Sequence, residues 1–300
     1  NGSTLTVNGT VTLTITNGLV FPNLATIPTT GFVNGVGTIN AGSMSIGGNA
    51  VPTVDNVDPV ITTTIRSLNV AGDLTLTALR SGTFDSRPIF QLQSGSVTLT
   101  GTLSCVTADN VNSTTLVTLN SGASTGTLVL GNTTAIATSG NQGVSTFTFN
   151  GAGATVNYSA AGAQTVQGVA YTNLTLSGSG AKALQTATTV IGGDLVLSGT
   201  ATTTTVIGLT INGDLSIGDG TSFTIPAFGI IVNGTTTVGG GTSGSLIISS
   251  TPGGKRFDGL VTVNAGGTWN NSGNDVVVFR GGITNSGTFT AGTGVQTFNT

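Results

Sequence analysis

The ionisable side chains of this 300-residue chain are few enough to weigh one by one. There is no His, all ten acidic residues are Asp, and Lys and Arg together number seven. Without His or Glu, neither a Ser-His-Asp nor a Cys-His arrangement can be assembled. A zinc site would be left with Asp and one Cys, a poor ligand set. That residue, Cys105, has no partner for an intrachain disulfide. It has no basic or His neighbour in sequence to make it a nucleophile, so it reads as a small buried hydrophobe. Glycoside hydrolysis needs two close carboxylates. The candidates are Asp55 with Asp58, and Asp85 flanked by Arg80 and Arg87. Lys255, Arg256, Asp258, Asp275 and Arg280 form a further charged group, which stacked coils would gather together. For both groups the expected reading is exposed ion pairs at turns.

Three further carboxylates, Asp73, Asp194 and Asp214, occupy the same place in a repeated phrase. A calcium ladder is one reading, but calcium wants six to eight oxygens and each phrase offers one Asp. Hydrogen bonding of the carboxylate to turn amides is the favoured reading. No metal or other cofactor is expected.

The phrase itself is an apolar pair at alternate positions, then Gly, usually Asp, then a second alternate pair. It runs Ile191-Gly-Gly193-Asp194-Leu195-x-Leu197, then Leu209-x-Ile211-Asn-Gly213-Asp214-Leu215-x-Ile217. A worn copy follows as Ile230-x-Val232-Asn-Gly234-Thr-Thr236-x-Val238. Gly193, Gly213 and Gly234 are thus 20 and 21 apart, a solenoid period. Leu68-x-Val70-Ala-Gly72-Asp73-Leu74-x-Leu76 is a full copy far upstream. Alternate residues of a strand face one side, so stacked copies bury ladders of Leu, Ile, Val and Phe. Thr, Ser and Asn take the outward positions. Trp269 and Phe289, also 20 apart, show an aromatic seat repeating.

The predicted fold is therefore all-β: a parallel β-helix with about 20 residues per coil and irregular insertions in the N-terminal half. Residues 1–143 are read as irregular coils with loop insertions, and residues 144–300 as regular coils continuous with them. A β-sandwich or jelly roll shares the frequent turn signals but does not require the 20-residue register.

Composition agrees. Charged residues are 6%, against about 25% in an ordinary soluble domain, while 37% are hydrophobic and alternate, which argues against disorder. No run of eighteen apolar residues offers a membrane span. The alternating runs last four to five residues, short for a transmembrane barrel. A net charge of −3 with scattered cations opposes nucleic-acid binding. Thr235 and Thr237 follow Leu215 and Ile217 by twenty residues, so a stacked Thr-x-Thr face for ice is not expected. Trp269, Tyr158 and Tyr171 are placed in the core or at its edge, which weakens a glycan-binding platform built on them.

The segment GAGATVNYSAAGAQTVQGVAYTNLTLSGSGAKALQTATTVIGGDLVLSGTA, residues 151–201, resembles the repeats of large exported β-helix surface proteins of Bacteroidota and related phyla. INGDLSIGDGTSF and GGTWNNSGNDVVVFRGGITNSGTFTAGTGVQTF resemble the same group. The resemblance implies adhesin-like cargo of the type IX secretion route, at the cell surface or in a secreted fibre. Together with the repeat it leads to the expected function: a structural, non-enzymatic stalk, fibre subunit or adhesin. Such a chain self-associates, or continues into a longer chain, through its coil edges. Surface glycans are a further partner class. A carbohydrate-active β-helix enzyme or a glycan-binding module is the alternative.

Overall fold

A computed structural model describes residues 2–55, 57–107, 114–119, 124–140 and 144–299. All regular structure among them is β, as the scarcity of helix formers and the abundance of Thr and Val dictate. Two compact units divide the chain, Asn1–Thr155 and Val156–Thr300.

In the second unit each coil has three sides. Leu195–Leu197, Thr200–Thr204 and Leu209–Ile211 make one coil. Leu215–Ile217, Ser222–Ile225 and Ile230–Val232 make the next. Corresponding strands pair in parallel, Leu195 on Leu215, Thr202 on Ser222 and Leu209 on Ile230. Parallel pairing of strands about 20 residues apart is the β-helix expected from the repeat, and a sandwich has no such register. The repeated phrase is one corner of the coil: a strand, the Gly-Asp turn, and a strand on the adjoining sheet. The third side is the Thr-rich stretch between phrases, where the alternating apolar pairs of the phrase are absent or partial.

The inward row Leu174, Leu195, Leu215, Thr236, Val261 is buried throughout. Burying one such aliphatic side chain contributes roughly 1.5–3 kcal/mol. Thr236 is the worn position: its hydroxyl is buried and has no hydrogen-bond partner. Aromatic side chains take over near the end of the unit. Trp269 stacks under Phe289 with ring centroids 5.8 Å apart, and Phe279 lies between Phe257 and Phe298 at 6.0 and 5.2 Å.

The first unit uses the same plan with a longer coil. Leu68 pairs with Val97 and Leu74 with Leu103, a step of 29 residues. The extra length lies largely at one corner, where the third side returns to the first. Residues 48–55, 57 and 58 lie there in one coil. In the next it holds Leu79–Ser81 and Phe84–Ser86, the one antiparallel pair among the described strands. Cys105 lies in the inward row on Leu76, fully buried, and burial pushes its thiol up to about 11. It is the small hydrophobe expected.

Candidate functional site

The Gly-Asp corners of the second unit form an ordered polar seam. Asn173 and Thr235 occupy the Asp position in the coils on either side of Asp194 and Asp214. Asn173 Oδ1 accepts the backbone N–H of Asp194 at 3.0 Å. Asp194 Oδ1 accepts that of Asp214 at 2.8 Å, and Asp214 Oδ1 that of Thr235 at 2.6 Å. In the first unit Asp73 Oδ1 accepts the N–H of Thr102 at 2.7 Å. Each side chain therefore reaches forward and satisfies an amide of the next coil. The turn chemistry read from the sequence is present, but the amide belongs to a different turn.

The same contact explains the glycines. A Cβ on Gly213 would lie 2.2 Å from Asp194 Oδ1, and one on Gly234 would lie 2.4 Å from Asp214 Oδ1. One on Gly193 would meet Asn173 Oδ1 at 2.3 Å. Gly101, next to Thr102, would meet Asp73 Oδ1 at 2.5 Å. Gly72 is required by the close approach of Gly42 O, 2.7 Å from its would-be Cβ. None of these glycines has positive φ, so space and not backbone conformation selects them. The Asp of one coil, together at Gly101, Gly213 and Gly234 with the backbone of the glycine beneath, fills the volume that a Cβ on the Gly of the next coil would need.

The candidate catalytic groups resolve differently. Asp58 is taken up by Arg87, whose Nε and Nη2 donate to Oδ2 at 3.1 and 2.8 Å and whose backbone N–H donates to Oδ1 at 2.7 Å. This fork across one coil raises the Arg87 pKa. Asp55 is exposed, and Asp85 pairs in register with Arg80 across the antiparallel hairpin. The second group splits in two. Arg256 and Arg280 approach Asp258 Oδ1 at 3.0 and 3.5 Å on the outside. Lys255 and Asp275 form an ion pair with side chains 0% and 7% exposed. Here the expectation of exposed pairs fails: Lys255 starts an inward-facing row, between Ile230 and Val277, instead of a turn.

Two features escaped the sequence reading. Lys182 is fully buried, its Nζ donating to Ala160 O, Gly162 O and Gln164 Oε1 at 2.7–2.9 Å. Burial without a carboxylate lowers its pKa to about 8. Its alternation with Leu184 was the available signal. Asp219 Oδ1 accepts the N–H groups of Gly240, Thr242 and Ser243, which pull its carboxyl down to about 2.

The Thr comparison also changes. The coil step there is 21, so Thr236 and not Thr235 covers Leu215, and Thr237 covers Ser216. The outward row is Val196, Ser216, Thr237, Thr262, Thr284, interrupted by Val196. On the third side Thr202 and Thr204 cover Ser222 and Thr224, and Ile247 breaks that array one coil later. Trp269, Tyr158 and Tyr171 are buried, the two hydroxyls 3.0 Å apart. Exposed aromatic surface belongs instead to Phe32, Phe84, Phe228 and Phe298.

No group of three metal-ligating side chains occurs among the described residues. No helix among the described residues is long and apolar enough to cross a membrane. The chain matches no family model, no curated protein and no solved structure.

Proposed function

We propose that this chain is a structural, non-enzymatic part of an extracellular surface protein, serving as a stalk, fibre subunit or adhesin. The observation that carries the reading is the seam. Asp73, Asp194 and Asp214 are each spent on an amide of the following coil, and Asp58 on a cross-coil ion pair. Carboxylates so engaged hold coils together; hydrolysis would need two of them free and facing a substrate. The coat of Thr, Ser and Asn suits exposure to varying pH and salt, since little of it titrates. The resemblance of residues 151–201 to Bacteroidota surface repeats supports the extracellular placement and the type IX route. Continuation of the ladders, into further coils or into a second copy, belongs to the same proposal. Phe298, 55% exposed on the Phe279 ring, is the side chain such a coil would cover.

Electron microscopy of the native assembly tests this: coils joined into fibres or stalks are expected. Turnover of a polysaccharide that is lost in Asp85→Asn would overturn it in favour of a carbohydrate-active enzyme.

A further inference from the structure

The buried pair Lys255–Asp275 is unlike the other ion pairs among the described residues, which are partly exposed. Lys255 opens the strand Lys255–Phe257, and its side chain stands in a row with Ile230 before it and Val277 after it. Asp275 comes from the following coil, two residues ahead of Val277, and is 5% exposed. Its placement is built. Asn274 has φ 59°, in the left-handed region that Asn tolerates, which turns the chain inward. Fully buried Asn271 then clamps Asp275 from both sides: its Nδ2 donates to Asp275 O at 2.9 Å, and its Oδ1 accepts the Asp275 N–H at 3.0 Å. Asp275 Oδ1 is occupied by the N–H of Val276 at 2.8 Å, so Oδ2 is left for Lys255 Nζ. The other oxygen near Nζ is Pro226 O at 3.2 Å.

We propose that Lys255 and Asp275 condense to an intramolecular amide. The pair holds the two reactants in contact, and both termini are fixed by backbone hydrogen bonds, so the entropy of bringing them together is spent during folding. A proton moves from Nζ to the carboxylate along the existing contact, giving a neutral amine and a carboxylic acid. The Nζ lone pair adds to Cγ, the Cγ–Oδ2 bond breaks, and one water leaves with the second proton lost from Nζ. No oxidant, reductant or co-reactant is required. The driving force is electrostatic: the ion pair carries the desolvation cost of two buried charges, whereas the amide leaves only a neutral polar group, whose Oδ1 keeps the Val276 N–H as its partner. Exclusion of water from the row disfavours the reverse step. The product is a covalent clip across two coils, closing residues 255–275 into a ring that contains the Trp269 strand. Lys182 provides the internal contrast. Its nearest side-chain partner is the carboxamide of Gln164, which offers no acid proton, and it stays free.

Intact-mass spectrometry of the purified, folded chain tests the proposal. The expected mass is short of the sequence by one water, with a branched proteolytic peptide joining Lys255 to Asp275 and a linear peptide carrying free Lys182. Lys255→Arg keeps a cation but cannot form the amide, and is expected at its full sequence mass. Wild-type protein at full mass with linear Lys255 and Asp275 peptides overturns the proposal. So does a missing water that persists in Lys255→Arg or maps elsewhere. The wild-type measurement decides even if the variant does not fold.

Discussion

Gly193→Ala isolates the packing rule of the seam. The new Cβ would fall 2.3 Å from Asn173 Oδ1, while the nearest backbone atom, Thr172 O, is 3.2 Å away. The obstacle is therefore a side chain that can be removed. Displacing Asn173 forfeits its bond to the Asp194 N–H, about 0.5–1.5 kcal/mol, and overpacking adds about 1–3 kcal/mol. Restricting the unfolded chain returns about 0.4–1 kcal/mol. The net expected loss is about 1–3 kcal/mol. Asn173→Ala alone costs only its hydrogen bond, about 1 kcal/mol. In that background Gly193→Ala meets no close side chain and is expected to be neutral or slightly stabilising. Gly213 is the control. Its Cβ would meet Asp194 Oδ1 at 2.2 Å but also the backbone of Gly193 at 2.6 and 2.8 Å, so Asp194→Ala relieves it only in part. Stacked repeats open locally, so hydrogen exchange of peptides spanning residues 171–217, read against urea, is the suitable assay. Strictly additive losses in the Asn173/Gly193 cycle would refute the reasoning. Equal rescue at Gly193 and Gly213 would do the same.

Thr236→Val replaces a buried, unpartnered hydroxyl by an isosteric methyl in a Leu–Val row and is expected to raise local stability by about 1 kcal/mol, read from amide protection of the adjoining strands. Lys182 binds its proton less tightly when folded, about 8 against 10.5 for the free side chain. The unfolded state then holds more protons between those values, so stability rises from pH 8 to 10.5. Buried Cys105, Tyr158 and Tyr171, whose pKa values are raised, give the opposite slope above about pH 9, so the urea midpoint of the wild type relative to Lys182→Met should increase across that range, and a relative fall contradicts the burial of Lys182 as a lysine held by carbonyls. Cys105, fully buried with its thiol pushed up to about 11, should resist thiol reagents at pH 8 until denaturant is added. Rapid labelling of the native protein at Cys105 would contradict its burial.

The parallel coil was readable because Leu195-x-Leu197 and Leu215-x-Ile217 sit on either side of an identical Gly-Asp turn. That pattern reports two sides of the coil. The third side, Thr200–Thr204 and Ser222–Ile225, stayed hidden because its outward Thr and Ser look like loop composition. Register was legible only to within one residue where the steps are 20 and 21, and not at all from the period where they widen to 25 and 22. That single residue misplaced Thr235 over Leu215. The coils of the first unit, whose steps run from 26 to 31 residues along one sheet, were blurred by their corner insertions. Lys255 was missed as an inward residue because a cation beside Arg256 and Asp258 reads as a turn. Only alignment with Ile230-x-Val232 one coil earlier reveals that Lys255-x-Phe257 is a strand.

The forward reach of each Asp carries a consequence for how such a chain changes over generations. A residue and the neighbour that permits it lie in different repeats: Asp194 is compatible with Gly213, and Asp214 with Gly234. The heritable unit is thus the joint between coils, not the coil. A duplication must span at least two coils to carry an Asp together with the Gly that accommodates it, and the last Asp of the copied segment must meet a Gly at the new joint. A single substitution at a Gly must wait for a change one coil earlier. Drift at these corners should therefore run as linked pairs offset by one period where a side chain is the close neighbour, as at Asn173 and Gly193; above Thr235, which has given up the carboxylate, Gly259 is still held by the backbone of Gly234, 2.2 Å from its would-be Cβ.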